Sequence, residues 1–159
     1  MVNIPLELLN LQDDGFHLLM EVVVFGHPFK AVLDTGDSRT VFDKSTVEQH
    51  LSNDVKIHHT DMMSTGLGTN TMESFSLVIP DLILGRPPHE EDKSKQALHL
   101  RNFEVAILDL STINHAYLQM EMEPVIGVIG GDILINYGGI IDYRKLTLKL
   151  GERKMRRNL

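Results

Sequence analysis

The segment Ala31-Val32-Leu33-Asp34-Thr35-Gly36-Asp37-Ser38 is the part of this sequence best equipped for chemistry. An apolar run leads straight into a carboxylate, a hydroxyl and a glycine. The end of a strand can hold Asp34 in a partly dry site. Thr35 can hydrogen-bond nearby backbone and fix the loop, while Gly36 permits a tight turn and the close approach of another group. Taken alone, the triplet also suits an ordinary β-turn after a strand. Other combinations carry less. His58-His59 with Asp61 has the residue types of a metal site, but neighbours on a strand face opposite ways, so no metal site is expected. The histidines show no H-E-x-x-H spacing, and Ser38 lacks the G-x-S-x-G setting of a hydrolase nucleophile. Gly127-Val128-Ile129-Gly130-Gly131 matches neither G-x-G-x-x-G nor a P-loop. Met120 and Met122 read as core or interface filler.

The elements that must position these residues read mostly as strands. Ile4 to Leu11 alternates loosely, and Phe16 to Phe25 is valine-rich, as a buried strand would be. Gly26-His27-Pro28 marks a turn before Phe29 to Leu33, so 16–33 is expected to form a hairpin. Arg39 to Phe42 resumes as strand. Lys44 to Leu51 is the first helix, with Ser45 or Thr46 as its cap. A short strand is expected over Val55 to His58, and the small, polar segment 64–71 suits a mobile hairpin tip. Phe75 to Ile79 and Phe103 to Leu110 read as strands. Between them, Gly85 to Ala97 with Pro87, Pro88 and a charge run reads as an exposed insertion. Thr112 to Met120 and Asp132 to Tyr137 are expected to be short helices, the second closed by Gly138 and Gly139. Ile140 to Tyr143 and Leu146 to Leu150 form a final hairpin around Arg144-Lys145. Many short strands with one to three short helices point to an all-β, closed or folded-over architecture.

The chain has 159 residues, enough for one compact domain over 1–150 with a short basic tail at 151–159. It has no cysteine, which excludes disulfides, thiolate metal sites and a cysteine nucleophile. A net charge of −7 argues against nucleic acid as the main partner. No apolar run approaches the ~20 residues of a membrane helix, so no membrane partner is expected. No signal peptide is visible, because Asn3, Pro5, Glu7 and Asn10 interrupt the first apolar stretch; this favours the cytoplasm if the N-terminus is native.

Asp34-Thr35-Gly36, followed nearly a hundred residues later by Val128-Ile129-Gly130-Gly131-Asp132-Ile133-Leu134, resembles the signature pair of the retropepsin-like (retroviral-type) aspartic proteases, above all their larger bacterial members. The resemblance spans roughly 16–150. It implies an acid-protease closed β-barrel in which Val128, Ile129 and Gly130 buttress the catalytic loop of Asp34, Thr35, Gly36 and Asp37. It also implies that Gly66, Leu67 and Gly68 belong to a flap over the cleft. Such chemistry uses two carboxylates sharing one proton: the ionised one takes a proton from water, and the protonated one polarises the peptide carbonyl. This chain carries a single Asp-Thr-Gly, so the resemblance implies a homodimer acting on a peptide or protein substrate, with no metal or organic cofactor. One residue departs from the pattern. The family usually has alanine or serine where this chain has Asp37, and a third acid beside the pair would resist its ionisation. The alternative is therefore a catalytically inactive, protease-like peptide-binding or dimerisation module.

Overall fold

The computed structural model describes residues 1–50, 58–60, 74–87 and 95–155. Its strands are β1 (Val2–Pro5), β2 (Glu7–Asn10), β3 (Phe16–Val24), β4 (His27–Leu33), β5 (Val41–Asp43), β6 (His58–Thr60), β7 (Ser74–Gly85), β8 (Ala97–Leu108), β9 (Gly127–Ile129), β10 (Ile140–Asp142) and β11 (Thr147–Leu150). Among the described residues three α-helices join them: α1 (Lys44–His50), α2 (Ser111–Gln119) and α3 (Gly131–Asn136). The expected all-β barrel with short helices is what forms. Six strands close on themselves in the order β3-β4-β9-β5-β8-β7 and back to β3. The free edge of β3 is shared, its first residues pairing with β2 and Val22–Val24 pairing with Leu82–Leu84 of β7. A separate three-stranded sheet, β1-β11-β10, joins the two ends of the chain.

Alternation along β3, β4 and β9 explains their apolar composition. Leu18, Met20, Leu33 and Ile129 fill the barrel, while Leu19, Val32 and Val128 face outward into a second cluster. That cluster is closed by Tyr117 of α2 with Leu11 and Val125, and Met120 and Met122 pack against it. Strands buried on both faces must be apolar at every position. Each of these side chains contributes roughly 1.5–3 kcal/mol by leaving water.

Several local expectations change. The run Ile4 to Leu11 splits into β1 and β2, which enter different sheets on either side of buried Leu6. The hairpin turns at Phe25 and Gly26 (φ 52° and 75°), the two positive values a type I′ turn requires, so His27 and Pro28 already belong to β4. Asp43, rather than Ser45 or Thr46, caps α1: its carboxylate accepts the Thr46 backbone N–H at 3.2 Å and the Thr46 hydroxyl at 2.8 Å. The same buried carboxylate accepts Leu110 N–H at 2.9 Å and so ties α1 to the end of β8. Both ends of the proposed insertion are strand: β7 runs to Gly85 and β8 begins at Ala97. Of the short strand expected at 55–58, only His58 is described, and it opens β6.

Candidate active site

Asp34 stands at the end of β4, where the chain leaves the barrel wall. Three residues of β4 run parallel to β9: Ala31, Val32 and Leu33 pair with Gly127, Val128 and Ile129. The ladder continues into the loop, since Asp34 donates its backbone N–H to Ile129 O at 3.0 Å. On its other edge β9 pairs with β5, Val41 lying against Val128. The chain therefore leaves β4, passes around the end of β9 and returns as β5, so β9 is threaded between the two arms. This crossing demands close backbone approach. A Cβ on Gly127 would lie 1.9 Å from Val41 O, and one on Gly130 would lie 2.7 Å from Arg39 O and 2.8 Å from Asp37 O. Val128, Ile129 and Gly130 thus stand beside the loop.

Within the loop, Asp34 Oδ1 accepts the Gly36 N–H at 2.9 Å, and Asp37 N–H reaches Asp34 O at 3.3 Å. A Cβ on Gly36 would come within 3.3 Å of Asp34 Oδ1, so a side chain there would crowd the carboxylate. The far side of the loop is held by α3. Gly131 N–H donates to Asp37 O at 2.7 Å and Asp132 N–H to Ser38 O at 3.1 Å. Asp132 then clasps buried Thr40, accepting its backbone N–H at 2.9 Å and its hydroxyl at 2.7 Å. Thr40 Oγ1 in turn accepts the Gly130 N–H at 3.1 Å.

Thr40 and Asp132 are the residues sequence reasoning passed over as holders of the loop. The available signal was an acid in the first turn of a short helix, together with a hydroxyl six residues past Asp34. Thr35, expected to fix the loop, is exposed and has no hydrogen-bond partner among the described residues. Asp37 turns partly inward. Burial raises its pKa above the usual aspartate range, and the charges of Asp34 and Asp132 push the same way.

Asp34 and Thr35 open onto a cleft of about 340 Å³, shared with His17, Val32, Leu110, Ile113, Val125 and Val128. Leu8, Phe16, Ile141 and Tyr143 form its rim. Its walls are mostly apolar, and among the described residues no cation is paired with Asp34. Among the described residues no group of acids and histidines forms a metal-ligand cluster. Gly66, Leu67 and Gly68 lie outside the described residues. No helix among the described residues is long and apolar enough to cross a membrane.

A threaded barrel with Asp-Thr-Gly at its crossing defines a retropepsin-like fold. The comparisons agree. The aspartyl protease family model matches residues 20–133, and the chain belongs to that family. Among solved structures it is similar to the retroviral protease-like domain of Ddi1 from Leishmania major, with a TM-score of 0.52 at 16% identity over 87% of this chain and 90% of that one. It is also similar to a retropepsin-like aspartic protease from Rickettsia conorii, with a TM-score of 0.51 at 17% identity over 91% of this chain and 87% of that one. Comparison with curated protein sequences gives no match.

Proposed function

We propose that this protein is an aspartic endopeptidase that hydrolyses peptide bonds with a water held between Asp34 and the Asp34 of a second copy. The observation that carries the reading is a single, solvent-open Asp34 at the end of a buried strand, its carboxylate accepting the Gly36 N–H and its backbone N–H donating to Ile129 O, facing a largely apolar cleft. One carboxylate lacks a partner to share a proton with, and a two-fold axis beside Asp34 supplies it. In the dimer, one carboxylate takes the proton from water while the other, protonated, polarises the scissile carbonyl. The Thr35 hydroxyl, without a partner among the described residues, and the exposed rim support a second copy docking there, Phe16 and Tyr143 being 62% and 68% exposed. Gly66, Leu67 and Gly68 act as the flap, and peptide or protein is the substrate.

Asp37 favours a second reading, a peptide-binding or dimerisation module without hydrolysis. It adds a carboxyl next to Asp34 that is costly to ionise. Sedimentation combined with cleavage of a peptide library separates the readings. The enzyme sediments as a dimer and cleaves peptides, and a statine-type inhibitor blocks it. A protein that dimerises and binds peptides without cutting them is the module. A strict monomer, with or without inhibitor, removes the two-copy enzyme and the dimerisation module.

A further inference from the structure

The cleft contains a histidine, His17, that neither the family signature nor the mechanism above employs. His17 lies on β3, whose pairing with β4 matches Leu18 to Leu33. Extended by one residue, that register sets His17 across from Asp34. Directly opposed residues on a sheet share a face, with Cβ atoms about 4.5–5.5 Å apart. His17 and Asp34 both line the cleft, in agreement with that register.

The His17 ring is held from behind. Its Nδ1 lies 2.6 Å from Tyr117 Oη of α2. Tyr117 is 2% exposed, and among the described residues its hydroxyl has no other partner. A buried hydroxyl proton left without an acceptor is costly. The phenol therefore donates to Nδ1, which must be the acceptor. In the neutral ring the proton then resides on Nε2. Nε2 lies on the side of the ring away from Tyr117 and has no partner among the described residues. The result is an oriented N–H donor in a cleft whose other walls, Val32, Leu110, Ile113, Val125 and Val128, are aliphatic.

We propose that His17 is a specificity-determining residue: its Nε2–H binds the carboxamide oxygen of a substrate glutamine whose aliphatic stem lies along Val32, Ile113 and Val128. A carboxylate would accept the same hydrogen bond, but Asp34 lines the same cleft and repels a second negative charge. A thioether or alkyl tip of equal length leaves the donor unpaired. This inference rests on the cleft being the substrate site of the proposed peptidase.

The test uses matched peptides with Gln, Met or Glu at each position flanking the cleavage site. It compares wild type, His17→Leu, His17→Gln and Tyr117→Phe. At one position the wild type should favour Gln over Met by roughly five- to tenfold in kcat/KM, the effect of one neutral hydrogen bond, and should also favour Gln over Glu. His17→Leu should bring the Gln/Met ratio to about one. His17→Gln, which keeps a donor, should retain part of the preference, and Tyr117→Phe should weaken it. A Gln/Met ratio unchanged in His17→Leu overturns the inference, as does a wild type that does not discriminate. Binding of the same peptides to Asp34→Asn, with and without His17→Leu, reads the same ratio as dissociation constants. If wild type cleaves nothing, the peptidase reading fails, and the binding ratio alone still upholds or overturns the role of His17.

Discussion

The molecule has a second concavity that makes an instructive contrast with the Asp34 cleft. It holds about 260 Å³ among Leu19, Glu7, Glu21, Lys30, Gly85 and Arg86. It is richer in charge, yet its charges are matched. Lys30 Nζ lies 2.8 Å from Glu7, and Arg86 grips Glu21 through two nitrogens, one at 2.6 Å. The Arg86 hydrogen bond holds the Glu21 carboxyl below the usual glutamate range, against the opposing effect of burial. The Glu7 hydrogen bond raises Lys30 in the same complementary way. In the Asp34 cleft the nearby groups have the same sign, and Asp37 is raised, first by burial. Paired ions of opposite charge are already neutralised and have little left to offer a substrate. A carboxylate whose one donor among the described residues is a neutral backbone N–H, in a largely apolar setting, remains available for proton transfer.

Asp34→Asn breaks that contrast most severely. It should lower peptide hydrolysis by at least about 10³-fold, because the two-fold mate loses its carboxylate as well. Circular dichroism and sedimentation should be unchanged, since the amide is nearly isosteric. Hydrolysis at the wild-type rate would exclude the mechanism. Thr40→Val should come next. It orphans the Gly130 N–H and strips one bond from Asp132, costing about 2 kcal/mol. The melting temperature should then fall by roughly 4–8 °C. An unchanged melting temperature would mean that the clasp does not hold the loop.

Asp37→Asn should act in the opposite direction. The folded state raises this group's pKa, so its native form is favoured below the unfolded value and stability is lost as pH rises through the folded value. Removing the charge should therefore raise the melting temperature at pH 7, by roughly 1–3 °C for a partly exposed group. The gain should vanish below about pH 4, where the wild-type carboxyl is protonated. A gain that persists in acid would point to packing rather than charge. Lys30→Met, in the matched concavity, should do least. A shift under about 3 °C is expected for an exposed ion pair, with no change in cleavage rate.

Much of the site was legible because the deciding information is local. Asp34 follows an apolar strand, Gly36 must stay small beside the carboxylate, and Val128-Ile129-Gly130 is a short buried strand ending at a crowded corner. The helices α2 and α3 begin within one residue of their expected starts. Strand β7 shows the limit. The expected strand stops at Ile79, before Pro80, yet the ladder continues from Ile79 through Asp81 to Gly85. Asn102, opposite Pro80, adopts φ 51° and drops out of the pairing, so the missing proline N–H costs no hydrogen bond there.

By itself, then, the sequence determined the strand-rich class, the Asp34-Thr35-Gly36 segment after an apolar strand, the short apolar run before Gly130 and the single copy of the motif. These follow from side-chain alternation and from residue types set by neighbours a few positions away. Only the tertiary structure decided that β9 threads between β4 and β5, that the N-terminal run divides between two sheets, and that Tyr117 of α2 reaches back to His17 across 100 residues. It alone paired Thr40 with Asp132 over 92 residues. Alternation tells each strand which face to bury, but not which distant strand will lie beside it. That choice belongs to the closed barrel, in which each pairing is possible only once the others have formed.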